Sequence, residues 1–236
     1  KSYLKHGFDF HLYTYEKVNR VPKGTRIKDG NTIIPYKEIF KLKETFLPFS
    51  DIWRYNMLYK KGGYWTDMDM ICMKHFDFKD KYVFSSERTI KEGAFKMKVP
   101  YVANIGILKA PKGSLFYKEL YEKCISVEKK NKNKDKLKYM RMLRNMIDEY
   151  KYKKYIYKPY YFCHLDWWYA KDAFMPLDKY RPKYGHKGLT IQSMFNKPYT
   201  IHLWRDLITK KYKLDLNATY NKKCLWELLK SYIDNK

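Results

Sequence analysis

Residues 50–74 read SDIWRYNMLYKKGGYWTDMDMICMK. Ser50 predicts a helix N-cap, since its hydroxyl can accept from an unpaired backbone N–H. Asp51 behind it suits the positive end of the helix dipole. Trp53 and Met57 stand four apart, as do Tyr55 and Tyr59, which is helical spacing. Lys60 and Lys61 fall in the last turn, and Gly62 or Gly63 can take the left-handed cap conformation. Tyr64 to Cys72 then reads as a strand, whose alternation puts Trp65, Asp67 and Asp69 on one face. Thr66, Met68 and Met70 share the other face. Two carboxylates on one face repel each other unless a cation sits between them or water covers both. Hard oxygen ligands suit Mg²⁺ or Mn²⁺, and Mg²⁺ is often held by carboxylates together with substrate phosphates. Asp51 and Arg54 are i and i+3 on one helix face, placed to hold sugar hydroxyls and phosphate near such a site. A lone D-x-D also arises as a solvated strand end, so the longer string carries the weight.

Outward from this stretch, Lys1 to His6 reads as the end of a helix closed by Gly7, and Phe8 to Tyr15 alternates as a strand. Val21 to Pro35 carries Pro22, Gly24, Asp29-Gly30 and Pro35 and reads mostly as loop. Tyr36 to Phe46 is expected to be helical. Downstream, Tyr82 to Ser86 and Asn104 to Ala110 read as strands, and Arg88 to Lys98 as a mobile loop. Pro111 to Ser114 is a turn whose serine caps a helical stretch running to Tyr150. The run Lys129 to Lys134 interrupts that stretch, either as a solvated loop or as a membrane-facing basic patch. Tyr155 to Tyr157 and Tyr160 to Phe162 look strand-like. Trp167 and Trp168 offer a sugar-stacking platform or plain core filling. Thr200 to Trp204 is a late strand, with Leu225 to Ile233 a closing amphipathic helix.

The pattern S-D-x-x-R-Y-x-x-L-Y-x-x-G-G-x-W-x-D-x-D resembles the signature of glycosyltransferases with a DXD sugar-binding region. These are retaining GT-A enzymes, family 32-like, related to the yeast initiating mannosyltransferase and to α-1,4-glycosyltransferases. FDFHLYTYE before the pattern, NIGILKAPKGS after it and IHLW near the end look similar too. The resemblance implies an α/β fold of GT-A type, a Rossmann-like nucleotide-sugar-binding single domain over residues 1–236 with a mixed central sheet. It implies a UDP- or GDP-sugar donor, a glycan, lipid or protein acceptor, and Mn²⁺ or Mg²⁺. Asp69, with Asp67 directly or through water, would hold the metal. Asp51 and Arg54 would orient the donor sugar, Trp65 would pack on the donor, and Asn104 would bind sugar or acceptor. His202, in the H-x-W string of Ile201 to Trp204, would complete the metal shell or donate to the diphosphate. In the resembled family a strand ending in an I-x-W-like motif precedes the first helix. That motif is absent here: either the chain lacks its first strand, which is the favoured expectation, or the donor base is held differently.

The chain has 236 residues with 45% hydrophobic content, enough for one packed core and too apolar for disorder. Its 50 Lys and Arg against 25 Asp and Glu give a net charge of +25, which favours anionic partners. A basic nucleic-acid-binding module is therefore the rival reading, with 25 tyrosines available for stacking. The lysines are spread along the chain rather than clustered, and no nucleic-acid motif appears, so no specific nucleic acid is expected. A glycoside hydrolase needs carboxylates on opposite sides of a bond, which two neighbours on one strand suit poorly. Cys72, Cys124, Cys163 and Cys224 form no C-x-x-C pair, which suits free thiols in a reducing compartment. With no apolar run of spanning length, a cytoplasmic enzyme touching an anionic membrane face peripherally is the expected setting.

Overall fold

In the computed structural model the described residues are 1–42, 44–89, 101–130, 135, 137–176 and 198–234. A short helix, α1 (Ser2–Lys5), ends at Gly7 with φ of +76°. Strand β1 (His11–Thr14) pairs in parallel with β2 (Arg26–Asp29), His11 opposite Arg26 and Thr14 opposite Asp29. The stretch expected to be loop between Val21 and Pro35 thus contains a strand. The helix expected over Tyr36 to Phe46 shrinks to one 3-10 turn, Tyr36–Glu38. Helix α2 runs over Leu47–Lys61, and β3 (Gly63–Thr66) follows at once.

Strand β3 lies against β6 (Tyr101–Ala110), and β6 against β5 (Val83–Arg88), both antiparallel. Strand β4 (Met70–Cys72) pairs antiparallel with β7 (Thr200–His202), Met70 opposite His202. Parallel and antiparallel pairing both occur in this α/β fold, but among the described residues they lie in three separate sheets rather than one continuous mixed sheet. Helices α3 (Leu115–Lys130) and α4 (Lys138–Glu149) follow β6, with Ser114 Oγ accepting from the Tyr117 N–H at 3.4 Å. The expected strand at Tyr160 to Phe162 is instead a helical turn, α5 (Pro159–Phe162), and Ile156 makes only an isolated bridge to Phe84. Pro159 in the first turn has no N–H to contribute to a ladder, which favours the helical start. Helix α6 (Leu225–Asp234) closes the fold. Arg88, expected to open a mobile loop, instead ends β5, and residues 90–98 of that expected loop and most of the run Lys129 to Lys134 lie outside the described residues.

The main core packs α2 against the β3–β6–β5 sheet and against α3 and α4, through Tyr55, Leu58, Phe84, Leu108, Tyr117 and Leu143. A second cluster joins β7, the 3-10 segment Trp167–Phe174 and α6. Trp168 lies partly buried against that second cluster, which is the core-filling outcome. A third cluster joins α1, β4 and α5 through Tyr3, Met70, Cys72, Phe162 and Cys163. Strands β4 and β7 lie between the second and third clusters, so the carboxylate turn before β4 is anchored from both sides.

Two local readings change here. The helix α2 starts at Leu47, and Ser50 lies inside it rather than capping it. Thr45 Oγ1 accepts from the Leu47 N–H at 3.2 Å, and Pro48 occupies a first-turn position that loses nothing by lacking an N–H. The expected strand from Tyr64 to Cys72 breaks at Asp67. The Asp67 N–H still donates to the Gly106 carbonyl at 2.9 Å, and the Met70 N–H then closes a turn onto the Asp67 carbonyl at 3.2 Å. The chain leaves β6 there and continues against β7. The even alternation fails across that turn: Met70 is buried at 3% while Met68 is exposed at 76%.

Candidate metal and donor site

Helix α2 buries the face that carries Asp51 and Arg54, whose relative exposures are 4% and 3%. The Arg54 guanidinium is engaged on every side. Nη1 donates to Asp67 Oδ1 at 2.8 Å and to the Ile105 carbonyl at 3.0 Å. Nη2 donates to Ser50 Oγ at 3.2 Å, and Nε to the Ser50 carbonyl at 3.4 Å. The same Nη2 lies 3.2 Å from Asp51 Oδ1, yet that oxygen has no aligned hydrogen bond, so the contact is one of charge alone. Burial pushes the Asp51 carboxyl up to about 7, against the pull of Arg54 and with a further push from Asp67. The planar guanidinium also covers the Trp65 ring, 4.6 Å from its centroid. Planarity and a fixed fork are what let one side chain serve two carboxylates and an indole.

Asp67 Oδ1 also accepts from Trp65 Nε1 at 2.9 Å. Trp65 therefore acts on Asp67 through its N–H, while its ring lies 6.0 Å from that of Trp53. With Oδ1 held twice, Asp67 is oriented by its own protein rather than by solvent. The turn then brings Asp69 round to β7. The Leu203 N–H donates to the Asp69 carbonyl at 3.0 Å, and the Arg205 N–H to Asp69 Oδ2 at 2.9 Å. Between them Trp204 adopts φ of +57°, a left-handed conformation that a bulky residue rarely takes. That twist turns the Arg205 N–H back toward the carboxylate.

His202 Nε2 lies 3.3 Å from Asp69 Oδ1. One ligand atom each from Asp67, Asp69 and His202 falls within 4.8 Å of the others. Burial alone would raise the Asp69 carboxyl, but the hydrogen bond and charge of His202 hold it well below the usual carboxylate range. Burial alone would lower His202, and Asp69 overcomes this and holds the imidazole above the usual histidine range. The donor set is two carboxylates and an imidazole at one point. It fits a divalent cation such as Mn²⁺ or Mg²⁺, which would take the place of the histidine proton between Asp69 and Nε2.

Asn104, expected to bind sugar or acceptor, is buried at 3% in β6, and its amide is hydrogen-bonded to protein. Its Oδ1 accepts from Ser85 Oγ and, at 3.3 Å, from the Gly106 N–H. Its Nδ2 donates to Cys163 Sγ at 3.1 Å and to Glu87 Oε2 at 3.4 Å. Beside the carboxylate turn, a cleft of about 810 Å³ opens between β1, α2 and β3. Tyr13, Trp53, Trp65 and Thr66 line it, with Phe10 and Met68. Sequence reasoning did not reach Cys163, Arg205 or the role of Ser50 as an acceptor for Arg54. The first two arrive from distant segments, and only the Ser50–Arg54 spacing of four carried a local signal.

Residues 5–89 match the family described as glycosyltransferase sugar-binding region containing DXD motif. The matched segment ends beyond Asp67-Met68-Asp69 and takes in α2, β3 and β4, leaving His202 outside it. Neither a curated protein nor a solved structure matches the chain. The DXD turn and the buried arginine behind it therefore lie within the segment that matches the DXD-containing sugar-binding region of glycosyltransferases.

Proposed function

We propose that residues 1–236 act as one catalytic unit that moves a sugar from a UDP- or GDP-sugar to a glycan, lipid or protein acceptor, with retention at the transferred carbon. The observation that carries this reading is the convergence of Asp67, Asp69 and His202 within 4.8 Å of one another. The aromatic cleft beside them has the volume and the polar rim of a small-molecule site.

In this reading Asp69 and His202 are the principal ligands. Asp67 contributes the oxygen that Arg54 and Trp65 leave free, directly or through water. A divalent cation bound there supplies Lewis acidity to the departing diphosphate. The chain's own residues do the remaining work. Arg54 fixes Asp67 and neutralises part of the charge of two carboxylates. Trp65 fixes the same oxygen and offers ring surface to the donor in the cleft. Asp51 keeps Arg54 in place and, where it faces the sugar, accepts from a hydroxyl. Asn104 reaches a sugar only by giving up contacts with protein, so its support for the donor is indirect.

The net charge of +25 suits a diphosphate donor and an anionic acceptor or membrane face, with a cytoplasmic or peripheral setting. Among the described residues no helix is long and apolar enough to cross a membrane. The test is donor hydrolysis and transfer over a panel of UDP- and GDP-sugars with Mn²⁺, repeated in EDTA. Metal-dependent release of one nucleoside diphosphate is the expected result. Turnover that is indifferent to chelator would point to a hydrolase using paired carboxylates. Salt-sensitive RNA binding with no donor turnover would point to the basic nucleic-acid module.

A further inference from the structure

His202 uses one ring nitrogen toward Asp69, and its other nitrogen faces a thiol. Nδ1 lies 4.0 Å from Cys163 Sγ in a buried setting. Cys163 is 1% exposed and sits at the C-cap of α5, where its own N–H donates to the Pro159 carbonyl at 2.8 Å. The sulfur is fixed from behind by Asn104 Nδ2 at 3.1 Å. Asn104 in turn is fixed by Ser85, Gly106 and Glu87. A polar line thus runs from the carboxylate turn through His202 and Cys163 into the middle of β6. Core filling by a small apolar residue would explain the burial of Cys163 but not this alignment.

An imidazole binds a metal through a nitrogen that carries no proton. Its other nitrogen then carries the proton and needs an acceptor, which commonly fixes ring orientation and tautomer. Leaving that N–H buried without a partner costs its full desolvation. The ring would then favour the tautomer with its proton on Nε2, facing Asp69, which cannot ligate.

Resting on the metal-site reading above, we propose that Cys163 is a positioning residue: its sulfur accepts from His202 Nδ1–H and keeps the Nε2 lone pair aimed at the cation beside Asp69. Asn104 holds that sulfur in place. The chain uses a thiol where a carboxylate or carbonyl is the commoner partner of a ligating histidine.

The experiment is Mn²⁺ titration followed by electron paramagnetic resonance on the intact chain without donor. Wild type, Cys163→Val, Cys163→Ser and His202→Ala are compared. Loss of an outer partner of a ligating histidine weakens metal affinity by about 10–100-fold, which is the expectation for Cys163→Val. Cys163→Ser keeps an acceptor and should bind Mn²⁺ within a few-fold of wild type. ¹⁵N-labelled histidine in the wild-type, Mg²⁺-loaded protein should report the Nδ1–H tautomer for His202. Finding Nε2–H there overturns the proposal, even where Cys163→Val does not fold. Weakened binding in His202→Ala with none in folded Cys163→Val overturns the proposal and leaves the metal site standing. Unchanged binding in His202→Ala removes both.

Discussion

Arg54→Lys is the substitution whose outcome the structure fixes most closely. The guanidinium spans Asp67 on one side and Asp51 with Ser50 on the other, at 2.8 to 3.4 Å. A lysine ammonium keeps the charge but is a single point, and it can serve one of those sides. Removing one partner of a buried ion pair costs about 3–5 kcal/mol, and retention of the charge puts Arg54→Lys at the lower end, about 3 kcal/mol. For a domain of this size that is a fall in Tm of roughly 6–12 °C. The loss should depend on pH. The Asp51 carboxyl is already raised to about 7 by burial, with Arg54 opposing. A raised carboxyl contributes stability that is full below its unfolded value and is lost as pH rises through the folded one. Weakening the Arg54 contact raises it further, so the gap between variant and wild type should widen from about pH 5 to about pH 8. Thermal melts followed by circular dichroism across that range measure it, and donor turnover should fall alongside. Adding Asp51→Asn to Arg54→Lys removes the carboxylate left uncompensated and should recover part of the loss. A variant that melts with wild type at both pH values, or a double variant no better than the single, would refute the reasoning.

Asp69→Asn should abolish transfer and weaken Mn²⁺ binding while the protein still folds, because the asparagine keeps the size of the side chain and loses its charge; near-normal turnover with Mn²⁺ would exclude Asp69 as a ligand. Mn²⁺ must displace the proton that Asp69 holds on His202, so its affinity should climb about tenfold per pH unit around neutrality, read by calorimetry in buffers of different protonation enthalpy. In EDTA the sign reverses: the raised His202 contributes stability below about pH 6.5 that fades as pH rises above it, so the metal-free protein should melt lower in alkali. Gly62→Ala should cost at least about 2 kcal/mol, since Gly62 has φ of +69° and a Cβ there would lie 2.3 Å from the Lys112 nitrogen. Gly63→Ala meets no atom within 4 Å and should cost less; equal urea midpoints for the two variants would disprove the close approach.

The sequence by itself determined the local elements and the chemical cast. Helical spacing from Trp53 to Tyr59, two glycines and alternation into Trp65 were enough for α2 and β3, because those choices depend on neighbours within a few residues. The D-x-D string with the upstream S-D-x-x-R was enough for the sugar-binding region, and H-x-W marked the third member of the Asp67, Asp69 and His202 cluster. Tertiary structure decided how these parts meet. Alternation could not reveal that the strand breaks at Asp67, because the break comes from a change of partner, β6 before it and β7 after. Ser50 looked like a cap because the serine preference is local, while Pro48 and the Thr45 hydroxyl set the start four residues earlier, with Phe46 at the cap. The parallel β1–β2 pair was hidden in a segment rich in turn residues, since its pairing is with distant backbone rather than with its own side chains. Arg54 and Asn104 read as ligand-facing residues from type and position alone. The fold buries both, so Arg54 works by holding Asp67 and Asn104 by holding a sulfur. No local pattern specifies that sulfur, because Cys163 and His202 are separated by 39 positions and meet only where α5 packs against β7.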